Sequence, residues 1–181
     1  GVKIASSMCS LLAEELAVSP EDVIVASTGV IGRRLDIKPI KDAMPCLVKG
    51  LAEKSAPAAE AIMTTDTRIK EAAVSFDIGG RECRIGGIAK GSGMINPNMA
   101  TMLAFLTTDC SISSPMLQKA LQEDAEDTFN MISVDGDTST NDMAAILANG
   151  LAGNQEITEE NEDFYKFKQA LNMVTAALSR M

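Results

Sequence analysis

Residues 72–88 read AAVSFDIGGRECRIGGI, and this stretch decides the fold. From Ala72 to Ile78 apolar and polar side chains alternate, which is the pattern of a half-buried β-strand. Gly79-Gly80 is a turn pair that joins antiparallel strands, so Cys83–Ile88 is predicted to run back along the first strand. Gly86-Gly87 inside this second strand indicates a bulge or a close approach of another backbone.

A further strand is predicted at Met102–Thr108, after a loop rich in Gly, Asn and Pro. Outside these strands, apolar residues at helical spacing predict most of the remaining elements. In chain order, these other elements are a helix over 3–17, a buried strand over Val23–Ala26, a helix over 37–54 interrupted at Pro45, a helix over 56–63, a helix over 114–129 with Ser114 as N-cap, a polar loop over 133–141, a strand or short helix over 143–148, and a helix over 162–180 capped by Thr158-Glu159-Glu160. Mixed strands and helices indicate a layered α/β architecture, and 181 residues suit one domain or two small ones.

Charge and residue usage exclude several classes of function. The net charge is −9, and an acidic surface repels phosphate backbones and anionic lipid, which disfavours nucleic-acid and membrane-surface roles. No apolar run approaches the ~20 residues that span a bilayer. The four cysteines are far apart and indicate the reduced thiols of a cytoplasmic protein. The chain has no histidine, so it cannot by itself build a Ser-His-Asp machine or a His-ligated zinc site, and no metal is predicted.

Ala100-Thr101 ends the loop that precedes the predicted central strand. A threonine can act as a nucleophile without histidine when its own α-amine is free. An α-amine titrates near ~7.7–8.0, so it is partly neutral at working pH and can accept the hydroxyl proton. The chain must then first break before Thr101, through attack of its hydroxyl on the Ala100 carbonyl and hydrolysis of the resulting ester. Taken alone, the local pattern favours a plain connector into a core strand.

Three other places are candidates for a site. The turn at Thr28-Gly29 could aim backbone N–H groups inward as an oxyanion hole. Lys90 could anchor a substrate carboxylate. Thr64, in the cluster Thr64-Thr65-Asp66-Thr67, could line a polar pocket or cap a helix end. A plain turn, a surface lysine and a helix cap are the more common outcomes of these three patterns.

Two loops do not meet the rules for known binding loops. Lys90-Gly91-Ser92 is preceded by Ala89, where a phosphate-binding loop requires Gly. The run Asp135–Asp142 has Thr140 at the position where a calcium loop requires Gly. We therefore interpret Asp135–Asp142 as an ordered polar loop near a site.

Five blocks occur in order along the chain, namely STGVIG (27–32), AIMTTDT (61–67), AKGSGM (89–94), MATML (99–103) and SVDGDTSTND (133–142). This series resembles the ornithine acetyltransferase family, also called glutamate N-acetyltransferase. The resemblance covers essentially the whole chain, and MATML is its most specific block. It implies an α-β-β-α sandwich similar to that of the aminopeptidase DmpA, and a role in arginine biosynthesis.

The resemblance also implies a mechanism. The chain would cleave itself between Ala100 and Thr101, giving 1–100 as the end of an α chain and 101–181 as the start of a β chain. The cleaved chains would stay together in an assembly of paired chains. Thr101 would then carry the acetyl group of N-acetylornithine to glutamate. By the same resemblance, the oxyanion hole would be Thr28 and Gly29, and the substrate-binding residues would be Thr64, Lys90 and Thr101.

Family members are longer than this chain, so we expect residues 1–181 to be one catalytic-domain segment truncated at both ends. The resemblance implies no cofactor and leaves acetyl-CoA open as a co-substrate. Two alternatives also stay open. One is an amidohydrolase that uses the same threonine with water as the acceptor, and the other is an inert fragment that only packs against a partner.

Overall fold

The computed structural model describes residues 1–51, 55–91, 102–133 and 139–181. Its contacts divide the chain into two compact units, a first unit Gly1–Lys54 and a second unit Ser55–Met181. The predicted cleavage bond between Ala100 and Thr101 lies outside the described residues, as does most of the predicted polar loop over 133–141.

The first unit is helical. Helix α1 spans Val2–Leu16 and ends at Ala17, whose φ of 54° is left-handed, which confirms the helix predicted over 3–17. Helix α2 spans Lys38–Lys49 and packs against α1. The predicted interruption at Pro45 is wrong, because the helix continues through it even though proline cannot donate the usual backbone hydrogen bond.

The buried strand predicted over Val23–Ala26 is also wrong. These residues follow a single 3₁₀ turn, Pro20–Asp22, and take part in no strand pairing. Ile24 is 54% exposed. A strand needs a neighbour to satisfy its backbone groups, and the described part of the first unit contains no other strand. An apolar run alone therefore does not produce a strand here.

The second unit is built on the predicted hairpin. Strand β1, Lys70–Ile78, pairs antiparallel with strand β2, Arg81–Lys90, and the ladder closes at Ile78↔Arg81. The turn residues Gly79 and Gly80 have φ of 59° and 80°, a left-handed pair that residues with a Cβ rarely adopt. The pairing is continuous past Gly86-Gly87, so the bulge alternative is wrong.

The close-approach alternative for these glycines is confirmed. A Cβ added to Gly87 would lie 3.1 Å from both Leu106 Cγ and the Phe105 carbonyl oxygen. A Cβ added to Gly86 would lie 3.3 Å from Ala73 Cβ. The missing side chains thus let β2 fit closely between its neighbours.

Two further strands complete one sheet of order β1-β2-β3-β4. Strand β3, Leu103–Thr108, runs antiparallel to β2, as expected of the predicted central strand. Strand β4, Met143–Ala148, lies parallel to β3, which decides the prediction for residues 143–148 in favour of a strand.

Helices cover one face of this sheet. After the short helix α3, Ala56–Ala61, the second unit contains helices α4, Ser114–Asp127, and α5, Glu162–Arg180. Helix α5 packs on β1 and β2, with Phe167 meeting Phe76 edge to face at 6.0 Å between ring centroids. The layered α/β class is confirmed, and the described residues of this unit form one sheet layer and one helix layer.

The two predicted helix caps are each misplaced. Helix α4 takes Ser113 rather than Ser114 as N-cap, with the following residues Ser114-Pro115 already inside the helix. Helix α5 is capped by Asn161, whose side-chain oxygen accepts the Phe164 N–H at 3.0 Å, and not by Thr158-Glu159-Glu160. Several polar residues precede each helix, and more than one of them is of a residue type that can serve as an N-cap. Local sequence alone therefore does not choose among them.

Candidate active site

The structure places two of the predicted substrate-binding residues in the second unit. Lys90 is the last residue of β2, and Thr64 lies in the turn between α3 and β1. Thr28 and Gly29 belong to the first unit, between its 3₁₀ turn and α2. Thr101 and Ala100 lie outside the described residues, so their predicted roles stay predictions.

Asp66 joins the Thr64 turn to the end of β2. Its Oδ2 accepts a hydrogen bond from the Thr64 N–H at 3.2 Å, and its Oδ1 accepts one from the Gly91 N–H at 2.7 Å. Oδ1 also receives the Lys70 ammonium at the start of β1. The side chain of Asp66 is fully buried. One carboxylate therefore fixes the backbone beside both Thr64 and Lys90.

The buried Asp66 carboxylate stays ionised. Burial by itself raises the pKa of Asp66, because a low-dielectric environment disfavours the charged form. The hydrogen bonds from Lys70, Gly91 and Thr64, together with the charge of Lys70, outweigh burial and lower this pKa to about 2. The charges of Asp66 and Lys70 offset each other at neutral pH.

Lys90 is a buried cation. Only 3% of the residue is exposed, so the prediction of a surface lysine is wrong and the anchor hypothesis remains. In the described ranges no carboxylate and no hydrogen-bond acceptor engages its ammonium. A buried charge without a counter-ion is costly, so such groups are rare unless a ligand or metal completes them. The role of Lys90 as an anchor for a substrate carboxylate therefore stays a prediction.

The start of β3 is held by a second carboxylate. Asp142 Oδ1 accepts a hydrogen bond from the Met102 N–H at 2.8 Å, and the Met143 N–H donates to the Met102 carbonyl at 3.0 Å. Met102 is 7% exposed. Met102, the residue directly after Thr101, is thus buried, and hydrogen bonds hold both its N–H group and its carbonyl oxygen.

Sequence reasoning missed both carboxylates. Asp66 is the only acidic residue in the stretch 61–70 and stands four residues before Lys70, a signal that was available. Asp142 directly precedes a predicted strand, but its partner Met102 follows only from the parallel pairing of β3 with β4. The sequence does not reveal that register.

The turn predicted to form an oxyanion hole lies in the first unit. Thr28 is half-buried and Gly29 is exposed. Among the described residues, the N–H groups of Thr28 and Gly29 have no backbone acceptor, and their role in an oxyanion hole stays a prediction. The glycine that the backbone requires in this turn is Gly32, whose φ is 82°.

A groove lies on the sheet face that α5 leaves open. Its volume is about 550 Å³, and its floor includes Gly86, Ile88 and Phe105. Strand alternation puts the side chain of Lys90 on this same face, two residues beyond Ile88. Among the described residues that line the groove, the one ionisable side chain is Glu71, which accepts a hydrogen bond from Ser55 Oγ at 2.8 Å. The groove is therefore largely apolar, and Lys90 lies on the same sheet face without being part of the groove lining.

The described residues contain no group of three or more His, Cys, Asp or Glu side chains that could hold a metal ion. Within the same ranges no helix combines the length and the apolar character needed to cross a bilayer.

The fold and the site define a layered α/β protein with a buried cation and two anchoring carboxylates where its strands meet. The ArgJ family model matches residues 1–181, so the chain belongs to the ArgJ family. It is 50% identical over 179 residues to the arginine biosynthesis bifunctional protein ArgJ of Thermotoga neapolitana, which covers 99% of this chain and 45% of that protein. It is 48% identical over 180 residues to the protein of the same name from Bacillus subtilis, with 99% and 44% covered.

A solved structure is also similar, the crystal structure of arginine biosynthesis bifunctional protein ArgJ from Bacillus halodurans. The identity is 47%, the TM-score is 0.40, and the match covers 41% of this chain and 35% of that chain. This chain spans about 45% of the length of the curated relatives that it matches.

Proposed function

We propose that the complete protein carrying this chain is an acetyltransferase of arginine biosynthesis, which moves the acetyl group of N-acetylornithine to glutamate through an acetyl-threonine at Thr101. Membership of the ArgJ family and the names of the relatives support the pathway. The five sequence blocks support the assignment of the nucleophile.

The observation that carries the proposal is Lys90, a lysine at the end of β2 that is only 3% exposed. Both proposed substrates are amino acids with an α-carboxylate, and donor and acceptor bind in turn at one nucleophile. A single cationic anchor can therefore serve both. The groove on the same sheet face as Lys90 is largely apolar and suits the methylene stem of ornithine. Thr64, tied to the same carboxylate as the end of β2, is proposed to bind the substrate alongside Lys90.

The proposed nucleophile becomes reactive through self-cleavage. Attack of the Thr101 hydroxyl on the Ala100 carbonyl forms an ester, and water hydrolyses it to a new carboxylate at Ala100 and a free amine on Thr101. That amine can accept the proton of the Thr101 hydroxyl, because α-amines titrate near ~7.7–8.0. No histidine is needed, and the chain has none.

Acetyl transfer then takes two steps, acetylation of Thr101 and transfer of the acetyl group to glutamate. The Thr101 oxygen attacks the acetyl carbonyl of N-acetylornithine, the bond from this carbon to the α-nitrogen breaks, and the departing nitrogen takes a proton to leave as ornithine. The α-amine of glutamate next attacks the acetyl ester, and the threonine oxygen leaves and regains its proton. The N–H groups of Thr28 and Gly29 are proposed to stabilise the oxyanion in both steps. These steps require no cofactor.

The test supplies N-acetylornithine with an isotopically labelled acetyl group, with and without glutamate, to the full-length protein. The proposal predicts labelled N-acetylglutamate in amounts equal to the ornithine released. Labelled free acetate in place of N-acetylglutamate would instead identify an amidohydrolase. Release of neither product from a folded protein would identify an inert chain. Labelled acetyl-CoA in the same assay decides whether it is a second acetyl donor, and gel filtration after cleavage tests for an assembly of paired chains.

A further inference from the structure

Two carboxylates accept hydrogen bonds from backbone N–H groups at the two ends of the connection between β2 and β3. Asp66 accepts a hydrogen bond from the Gly91 N–H, and that nitrogen directly follows Lys90. Asp142 accepts one from the Met102 N–H, and that nitrogen directly follows Thr101. The two bonds are of similar length, 2.7 and 2.8 Å. Each therefore acts on the peptide group next to one predicted site residue.

We propose that Asp66 and Asp142 are positioning residues, which hold the backbone next to Lys90 and Thr101 in place before and after the chain breaks between them. This inference rests on the proposed function. Neither carboxylate needs to touch the substrate, because each acts through a backbone N–H group.

The need for Asp142 follows from the position of the break. Cleavage before Thr101 leaves a new chain end only two residues before Leu103, the first residue of β3. Chain ends fray unless something fixes them. A hydrogen bond to an ionised acceptor is stronger than one to a neutral acceptor, so the Asp142 carboxylate can hold Met102 when the covalent tether is gone.

The need for Asp66 follows from the charge of Lys90. A buried ammonium is useful as an anchor only when the backbone that carries it keeps its position against the substrate. Asp66 supplies that restraint through Gly91, and Lys70 offsets the charge of Asp66. Hydrogen-bond acceptance and ion pairing are separable functions of Asp66, because asparagine keeps an acceptor oxygen and loses the charge.

The first experiment compares Asp142→Ala with Asp142→Asn and Asp109→Ala in the full-length protein. Asp109 Oδ1 accepts the Arg84 N–H at 2.6 Å, the same kind of carboxylate-to-strand bond at the opposite end of the β2–β3 ladder. Intact mass spectrometry follows the appearance of Thr101 as a new N-terminus. We expect Asp142→Ala to slow cleavage about tenfold or more. Asp142→Asn, whose amide oxygen can still accept, should stay within about threefold of wild type, as should Asp109→Ala.

A second measurement covers the cleaved state. Once each variant has cleaved to completion, we expect Asp142→Ala to lower kcat with little change in KM, because Thr101 rather than the anchor is misplaced. Amide hydrogen exchange at Met102 should be faster in Asp142→Ala and unchanged in Asp109→Ala. This readout does not require activity, so it remains informative if the alanine variant cleaves poorly.

The other experiment removes the buried ion pair in two ways. Asp66→Ala/Lys70→Met loses both charges and the acceptor, whereas Asp66→Asn/Lys70→Met loses the charges and keeps an acceptor oxygen. We expect the KM for N-acetylornithine to rise about tenfold more in the alanine pair than in the asparagine pair. Asp124→Asn is the control, because Asp124 is also buried but joins α4 to α5 through Thr175 and Asn172. It should lower the melting temperature and leave KM unchanged.

The outcomes separate this inference from the proposed function. If wild type cleaves and transfers, and the alanine variants cleave and bind substrate like their asparagine counterparts, the two aspartates are structural only and the inference is wrong. Equal damage from Asp109→Ala or Asp124→Asn also overturns it. If folded wild type neither exposes Thr101 as a new terminus nor transfers acetyl groups, the proposed function fails, and the positioning inference fails with it.

Discussion

The two ends of the β2–β3 ladder use the same kind of bond in different electrostatic settings. At the site end, defined by Asp66, Lys70, Lys90 and Asp142, carboxylates accept the N–H groups of the residues that flank β2 and β3, and both lysines are buried. At the far end, defined by Arg84, Thr108, Asp109, Cys110 and Asn154, Asp109 holds the Arg84 N–H. There the buried polar groups are neutral and paired with each other, for example Thr108 Oγ1 with the Arg84 carbonyl at 2.7 Å.

This difference distinguishes polar groups that are paired within the fold from a group that is a candidate for ligand binding. At the far end, the side-chain oxygen of Asn154 accepts a hydrogen bond from the Ser111 N–H at 2.8 Å, and its side-chain nitrogen donates one to the Ser111 carbonyl at 3.1 Å. The polar groups of this side chain are therefore satisfied within the fold. At the site end Lys90 has no counter-ion among the described residues. A buried cation that lacks a counter-ion costs stability unless a ligand supplies one, so Lys90 is the candidate for ligand binding.

The largest expected effect at the site end comes from Lys90→Met. We predict that kcat/KM for N-acetylornithine falls about 100-fold, since loss of one partner from a buried charge pair costs roughly 2–5 kcal/mol. The same change should raise the melting temperature, because it removes a buried cation from the ligand-free protein. Steady-state kinetics and differential scanning calorimetry measure both effects.

Lys119→Met is the matched control for this prediction. Lys119 lies in α4 and forms surface ion pairs with Glu123 and Glu160, and such pairs contribute little. Its loss should leave kcat/KM unchanged. If Lys90→Met lowers the melting temperature and spares KM, then Lys90 is a structural residue and the contrast between the two ends disappears.

The next effect concerns acid stability. The pKa of Asp66 falls from 3.8 to about 2 on folding, so its stabilising contribution is complete above pH ~4 and is lost as pH falls towards 2. The shift corresponds to about 2 kcal/mol. We predict that wild type loses this much more stability than Asp66→Asn/Lys70→Met between pH 5 and pH 2, measured by urea unfolding. Parallel pH profiles for the two proteins would show that Asp66 is not held ionised by its neighbours.

A smaller effect is expected between the two ends, at Gly87. Gly87→Ala places a Cβ 3.1 Å from the Phe105 carbonyl oxygen, a rigid neighbour, and should cost at least ~1 kcal/mol of unfolding free energy. Gly86→Ala meets Ala73 Cβ at 3.3 Å and should cost less. Chemical denaturation of the two variants gives the comparison, and an equal cost would contradict the close approach on the Gly87 side.

The smallest effect concerns two buried thiols, Cys110 at the far end and Cys83 directly before Arg84. Burial, chiefly, raises the pKa of Cys110 to about 12 and also raises the pKa of Cys83, so neither forms a thiolate readily. We predict that Cys46, which is exposed, reacts with a thiol reagent in the folded protein, whereas Cys83 and Cys110 react only after unfolding. Fast labelling of Cys110 in the native state would show that the far end opens.

Local patterns predicted much of the fold. The hairpin at Gly79-Gly80 and the helices α1 and α5 came from turn chemistry and from apolar periodicity, which act over a few residues. The strand predicted over Val23–Ala26 failed because pairing depends on a neighbour that local sequence does not specify. The candidate site was only partly predictable for the same reason. Lys90 and Thr64 stood in recognisable motifs, whereas the roles of Asp66 and Asp142 required the sheet register that brings them to Gly91 and Met102.

The most direct test is the intact mass of the full-length protein, before and after Thr101→Ala. We predict that wild type appears as two pieces, the second beginning with Thr101 and carrying an added acetyl group after brief exposure to N-acetylornithine. Thr101→Ala should remain whole and take up no acetyl group. An uncut wild-type chain that forms N-acetylglutamate at full rate, or a Thr101→Ala protein that still does so, would contradict the account.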